Sequence, residues 1–300
     1  MDVYAGKNPQ NLTLLMQSVD NGETFEYLND IFPLFWGRLF YQNNVLYLLG
    51  TSTEYGDLMI GKSEDEGVTW SDPTVLDRGS CSFNGMGFHR APTVIIKKDG
   101  KVITSVEYGC GKLRYTNALL FASENADLTD KNSWTMSPFW FHDKDENAHV
   151  AVERGGFEGN CVIAPDGTLI NFLRHTEGKA LLIQADMDHL EQGFEFYDLI
   201  DFPMGHTKFE IQQRGNTYYA VGNQAPGRKI LSLFTSKDLI HWEFDRDIVN
   251  YEEMDKEKIG YQYPAFVFDG DDMLLLSRTA FNGAHSFHDS NYQTFYRIKL

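Results

Sequence analysis

The chain is poor in positive charge: its 300 residues hold 26 Lys and Arg against 43 Asp and Glu, a net charge of −17. An acidic sum of that size argues against a general nucleic-acid or anionic-membrane partner. Cysteine is scarce. Cys81, Cys110 and Cys161 are an odd set without C-x-x-C spacing, which provides neither a disulfide framework nor a cysteine-rich zinc site, so buried or free thiols are expected. No apolar window approaches the ~18 residues of a membrane span. The start, Met1 to Gln10, has no basic segment leading into an apolar one, so the chain as encoded is expected in the cytoplasm. A secreted or periplasmic form with its leader removed would read the same. Long stretches of 3.6-residue periodicity are missing too, which excludes a doubly wound α/β fold. What is present is core material: 42% of residues are hydrophobic and 14% aromatic, which excludes disorder.

Five apolar hairpins recur, beginning at Arg38, Thr93, Asn160, Lys208 and Ala265. Their turns centre on Asn43, Asp99, Asp166, Gly215 and Asp269, spaced 49 to 67 residues apart. Asp-Gly and Gly-Asn supply the positive φ that tight hairpins need. A third strand and a polar turn follow each of the first four hairpins. Two such turns, Ser18 to Phe25 (SVDNGETF) and Ser63 to Trp70 (SEDEGVTW), fit the pattern S-x-D-x-G-x-T-[WF], the Asp-box. Its Ser and Asp side chains bond backbone amides, its Gly turns left-handed, and its aromatic packs beneath the sheet. Ser236 to Trp242 and Ser123 to Trp134 are degraded versions. Four-stranded antiparallel units at this repeat predict an all-β propeller forming one domain over residues 1–300. Six blades are expected rather than five: five full blades and an incomplete first one closed by the C-terminal strand, Thr294 to Leu300.

Strand alternation puts the short hairpin turns at one end of each blade and the long loops at the other. Those loops run from Ser71 to Phe88, Tyr108 to Thr116, Pro138 to Phe157 and Phe281 to Tyr292. Seven of nine histidines (His89, His142, His149, His175, His206, His285, His288) fall on the loop end, where function is therefore expected. Innermost strands open there with Trp36, Arg38, His89, Arg90, Glu158, Asn160, His206, Lys208, Gln262 and Tyr263. Second strands end there with Glu107, Arg174, Asn223 and Arg278.

Acids, bases and cations are concentrated where plain strand ends would carry Val, Thr or Ser. His89 is a candidate general acid or base, the alternative being a histidine that caps a strand end. Glu107 and Glu158 are a candidate acid/base pair, unless arginines neutralise them. Arg174, Lys208 and Arg278 would clamp a carboxylate, unless they serve as structural ion pairs. Tyr263 is a further candidate base. Trp36, Arg38, Arg90, Asn160, His206, Asn223 and Gln262 are expected to bind substrate, with His285 and His288 of the loop GAHSFHDSNY. That loop reads His-x-x-His-Asp without a third distant ligand, so a polar loop is preferred to a metal site. Asp143, Asp145 and Glu146 read as a solvated acidic loop. No cofactor is expected. Trp36, Tyr55, Phe139, Trp140 and Phe141 supply aromatic surface for sugar stacking or for blade packing.

With its two Asp-boxes and the segments GFHRAP, EGNCVIAPDGTLINFLR, SRTA and GAHSFHDSNY, the chain resembles the sialidase-like, BNR-repeat propellers of carbohydrate-active enzymes over residues 12–300. The resemblance implies a glycoside hydrolase cleaving at or next to an acidic sugar of an oligosaccharide or polysaccharide. The early F-R-I-P type motif of true sialidases is absent. Closer in style are propellers that attack rhamnose linked to glucuronate, or ulvan-type polymers, in which a histidine is central. His89 matches that expectation, with Arg174 and Arg278 as carboxylate partners. Elimination at a uronate by a His or Tyr base is the alternative chemistry, and a non-catalytic glycan-binding propeller the alternative without chemistry.

Overall fold

A computed structural model describes residues 1–4, 10–82, 85–91, 93–110, 113–141, 156–176, 178–224, 227–253 and 257–300. Residues 142–155, with His142, Asp143, Asp145, Glu146 and His149, lie outside the described residues. Regular structure is almost wholly β. Strands β1 (Thr13–Gln17) and β2 (Glu26–Ile31) form a two-stranded sheet. The first blade is β3 (Phe35–Gln42), β4 (Val45–Thr51), β5 (Leu58–Ser63) and β6 (Thr74–Asp77). In the second, β7 (Gly87–His89) and β8 (Ile96–Lys98) both pair with β9 (Lys101–Cys110), followed by β10 (Leu113–Ser123) and β11 (Trp134–Met136). The third is β12 (Phe157–Ile163), β13 (Leu169–Thr176), β14 (Lys179–Ala185) and β15 (Glu195–Asp201). The fourth is β16 (Glu210–Arg214), β17 (Thr217–Asn223), β18 (Ile230–Ser236) and β19 (Trp242–Asn250). The fifth has three strands, β20 (Gly260–Asp269), β21 (Asp272–Ala280) and β22 (Tyr292–Lys299).

These are five blades of a β-propeller, which corrects the expectation of six. The N-terminal turn belongs to no blade. β1 and β2 pair with each other, and Leu15 and Ile31 bury themselves with Leu34 and Leu48, beside Leu28 and Trp70. Nor does the C-terminal strand complete an N-terminal blade: β22 is the third strand of its own sheet, paired with β21. The apolar side of the hairpin is satisfied by the first blade, so the hairpin needs no sheet of its own.

The chain divides into two compact units, Met1–Cys161 with Ala185–Glu195, and Val162–Gln184 with Phe196–Leu300. In the first, Leu49, Leu58, Ile60, Phe88, Val102, Val106 and Leu120 form the main apolar cluster. In the second, one cluster gathers Phe172, Phe202, Phe209 and Ile211, and another Val221, Leu233, Phe266 and Leu275. All three cysteines are free, Cys81 exposed, Cys110 and Cys161 buried.

The S-x-D turns close through their own side chains. The Gly67 amide donates to Ser63 Oγ at 2.8 Å, the Thr69 amide to Asp65 Oδ1 at 2.8 Å, and Trp70 Nε1 to the Gly67 carbonyl at 3.0 Å. Ser18, Asp20, Gly22 and Thr24 repeat the pattern, and the hydroxyl and amide of Thr24 hold the Asp20 carboxyl down at about 2. In the degraded copy Leu239 takes the left-handed position at φ 68° that Gly22 and Gly67 occupy elsewhere. Trp242 still donates to the Leu239 carbonyl and packs on the core. Phe25 does not pack as expected; it is 40% exposed.

Innermost strands carry a second regularity. Trp36, Glu158 and Tyr263 sit near the openings of β3, β12 and β20 with φ of 48°, 56° and 50°. The β3–β4 register slips between Phe35 and Arg38, and that of β20–β21 between Gln262 and Ala265. Left-handed residues at a bulge re-aim a side chain and cost of order 1–3 kcal/mol each, a strain typical of functional sites.

β7 opens against the turn that carries Tyr55. The Phe88 amide donates to the Gly56 carbonyl at 3.1 Å, and a Cβ on Gly87 would lie 1.8 Å from the Tyr55 carbonyl oxygen. Gly87→Ala is therefore expected to destabilise by at least the 1–3 kcal/mol typical of overpacking, read as a lower urea midpoint at unchanged slope. A midpoint equal to wild type would show that the two segments separate freely.

Candidate active site

Predicted site residues come together in two groups, one within each unit. In the first unit the centre is His89. It ends β7 opposite Glu107 of β9, and its Nδ1 lies 2.8 Å from Glu107 Oε2, with both residues buried. The other carboxylate oxygen, Oε1, accepts from the Gly159 amide at 2.9 Å. With both oxygens held, the carboxylate is oriented. A carboxylate accepts, so Nδ1 carries the hydrogen, and in the neutral ring the lone pair is then on Nε2.

Aromatic rings enclose the imidazole. Trp36 and Phe157 meet it edge to face with centroids 4.8 and 5.9 Å away, and Tyr115 and Tyr55 lie at 4.9 and 6.1 Å. The Tyr55 and Tyr115 hydroxyls are 3.0 Å apart. Burial first, then the hydrogen bond to Tyr55, pushes the Tyr115 phenol up, so it stays protonated as a donor. Glu54 is half-buried, and desolvation raises its carboxyl toward the protonated form, opposed by the charge His89 carries when its ring is protonated.

Glu158 is also buried, beside Asn160, whose Nδ2 donates to the Glu158 carbonyl at 3.3 Å. Arg38 lies partly buried on β3, two residues beyond Trp36 at the end of the register slip. Arg90 has another place. Its guanidinium is wholly inside the second blade, donating to Thr104 Oγ1 at 3.0 Å and the Ser105 carbonyl at 2.8 Å. Burial lowers it to about 10, and it acts as a strut rather than an exposed substrate contact. Among the other aromatics, Phe139 packs on Tyr108, Trp140 bridges to Asn117 through its backbone, and Phe141 is exposed.

In the second unit Lys208 likewise turns inward. Its Nζ lies 3.4 Å from Glu210 Oε2 and donates to the Pro264 carbonyl, and both side chains are buried. Asn223 ends β17 and staples the next blade, donating to the carbonyls of Ile230 and Tyr261 at 2.9 and 2.5 Å. Gln262 accepts from Arg228 and donates to the Phe287 carbonyl at 2.7 Å. His206 is part-buried in the turn before β16, and His285 is exposed in the loop after β21.

Around Tyr263 the cations gather. The Arg278 guanidinium lies 4.6 Å from the Tyr263 ring centroid and that of Arg228 lies 5.8 Å from it. Arg278 Nη2 donates to the His288 carbonyl at 2.7 Å. Desolvation, then the charges of Arg278, Arg228 and Arg174, hold the His288 imidazole below its ordinary range, with Asp289 opposing. No group of three or more His, Cys, Asp or Glu placed to hold a metal ion occurs among the described residues.

Glu54, Tyr115, Phe157 and Arg228 escape a reading of strand ends. Two of the left-handed positions do have a sequence sign: Phe35-Trp36-Gly37 and Phe157-Glu158-Gly159 share the pattern Phe-x-Gly near the openings of β3 and β12. Tyr115 and Arg228 have none, because nothing local distinguishes them from any surface Tyr or Arg.

No protein-family model matches the chain, and no curated protein matches it. Solved structures do. An α-L-arabinofuranosidase from Lactobacillus brevis superposes with a TM-score of 0.58 at 10% identity, covering 88% of this chain and 90% of that one. The exo-β-1,3-galactanase 1,3Gal43A from Clostridium thermocellum gives 0.55 at 14% identity over 91% of this chain, which spans 60% of the galactanase's length. A PL25 ulvan lyase, in a structure bound to -[GlcA(1-4)Rha3S]-, gives 0.54 at 13% identity, covering 92% of this chain and 67% of the lyase. At such identities the likeness is one of fold.

Proposed function

We propose that this protein is a carbohydrate-active enzyme that cleaves a glycan, with His89 as general base and Glu107 as the group that orients it. The observation that carries the reading is the buried His89–Glu107 pair, its carboxylate fixed from the other side by the Gly159 amide. Support for a glycan comes from the aromatic surround, which suits sugar faces, and from the fold shared with an arabinofuranosidase, a galactanase and an ulvan lyase.

Of the two chemistries, elimination next to a uronate suits this pair better. Hydrolysis by two carboxylates needs both free to act. Glu107 has both oxygens engaged, whereas an imidazole with its lone pair on Nε2 is a ready base. Nε2 would take the C5 proton, the C4–O4 bond would break to leave a 4,5-unsaturated sugar, and the departing oxygen would take a proton, with Tyr115 or Tyr55 as donor. Arg174 and Arg278, which belong to the second unit, are proposed as contacts to an acidic sugar group. Glu54 favours the second reading, hydrolysis: a carboxyl raised toward its protonated form is suited to act as an acid, with Glu158 as the second carboxylate.

Digestion of a panel of uronate-containing glycans tests both. New reducing ends with the ultraviolet absorbance of an unsaturated uronate mean elimination, and new ends without it mean hydrolysis. Binding with neither product leaves a glycan-binding propeller and overturns the enzyme.

A further inference from the structure

Beyond the His89 pair, the densest unexplained chemistry of the second unit is cationic. β21 supplies Arg278, the segment before β18 supplies Arg228, and β13 supplies Arg174. Arg228 and Arg278 both lie over the Tyr263 ring, and Arg228 also lies 5.5 Å from the Phe287 centroid. Tyr263 is held at φ 50° by the bulge in β20, so its ring is presented rather than folded into the sheet. Arg278 Nε is fully buried and has no hydrogen-bond partner among the described residues, while Nη2 of the same group ties down the loop at the His288 carbonyl. Stacked guanidiniums with an unused buried donor are built for an oxyanion, since a fork of N–H groups matches carboxylate and sulfate alike.

His288 adds a second property. Its ring centroid lies 6.3 Å from that of Phe287, the ring Arg228 covers, and its carbonyl is the one Arg278 holds, so the partly desolvated imidazole borders the cations while its loop stays open to a solvent proton. The charges acting on it are Arg278 from β21, Arg228 from the segment before β18, Arg174 from β13 and Asp289 from its own loop. An anion in their midst would offset the three cations and favour the imidazolium.

We propose that Arg228, Arg278 and Tyr263 frame an oxyanion site in the second unit, and that occupation of this site is coupled to uptake of a proton by His288. The ligand class is a sugar-borne carboxylate or sulfate ester, and in that respect the inference rests on the glycan reading above. The sign follows from linkage. A bound anion raises the His288 pKa, so affinity is lowest above the bound-state value, rises as pH falls through it, and levels off below the free-state value. His288 thereby makes binding of acidic sugars stronger in acid, without itself carrying the anion.

Calorimetric titration of the full chain with sodium sulfate and, separately, sodium glucuronate, each in two buffers of different ionisation enthalpy, tests this. Uptake of up to one proton per anion is expected, with the tighter of the two anions identifying the native group. His288→Gln should still bind but with no proton uptake and a flat pH profile, and Arg228→Gln should weaken binding by 10-fold or more. Circular dichroism confirms that each variant is folded. Equal proton uptake in wild type and His288→Gln overturns the coupling, and failure of both anions to bind overturns the site. Neither failure touches the His89 reading, which the product assay judges separately.

Discussion

Alanine in place of His89 should lower turnover of the responsive glycan by about 10²–10⁴-fold, the usual contribution of a positioned general base. The variant also leaves Glu107 buried with only the Gly159 amide, so some loss of stability accompanies it, and turnover is read on protein shown to be folded by circular dichroism. Glu107→Gln is the sharper variant. The Gln amide can donate to Nδ1, which drives the ring hydrogen to Nε2 and removes the lone pair from the reacting side, so a loss of similar size is expected with little change in KM. Unchanged turnover in His89→Ala would remove the imidazole from the mechanism. A full-rate Glu107→Gln together with a dead His89→Ala would keep the base and discard its orienting partner. The comparison matters because the pair also has a purely structural use: Glu107 stitches β9 to β12, and a stitch alone would appear as lost stability with intact rate.

The largest effect on stability is expected at Lys208. Breaking a buried ion pair by removing one partner typically costs about 3–5 kcal/mol, because the remaining charge is left in a medium that cannot solvate it. Lys208→Met leaves the Glu210 carboxylate buried, still accepting from the Phe266 amide at 3.0 Å and Gln212 Nε2 at 2.7 Å but without its cation. Adding Glu210→Gln removes the charge and keeps an acceptor for Phe266, so the double variant should recover most of the loss. Urea unfolding followed by fluorescence measures both. If the single variant unfolds like wild type, or the double is no better than the single, the pair is not the buried electrostatic unit described.

Much of the architecture was legible in the residues because its determinants are local. The hairpins at Asp99, Asp166 and Asp269 follow from alternating apolar runs around residues that tolerate positive φ, and the bonds of Ser63 and Asp65 lie within one turn. That strand ends beside the long loops carry many ionisable groups is visible in the residues themselves. What could not be read there is the fate of each group. Arg90 and Arg278 occupy comparable places at strand ends, and Lys208 resembles both. Arg90 and Lys208 turn inward onto carbonyls and a carboxylate, while Arg278 stacks on an aromatic ring. A sequence reports charge; whether that charge is a strut or a contact depends on what lies within about 3 Å of it.

Local order alone, then, determined the strands, the turns and the class of fold, since these depend on neighbours a few residues away. Only the tertiary structure decided that there are five blades, because the N-terminal hairpin buries its apolar face on the first blade instead of founding one. It also decided that His89, Glu107 and Gly159 form one unit, since their juxtaposition joins β7, β9 and β12 across 18 and 52 residues of chain. Contacts over such distances are set by packing and strand register, which no pattern of adjacent residues encodes.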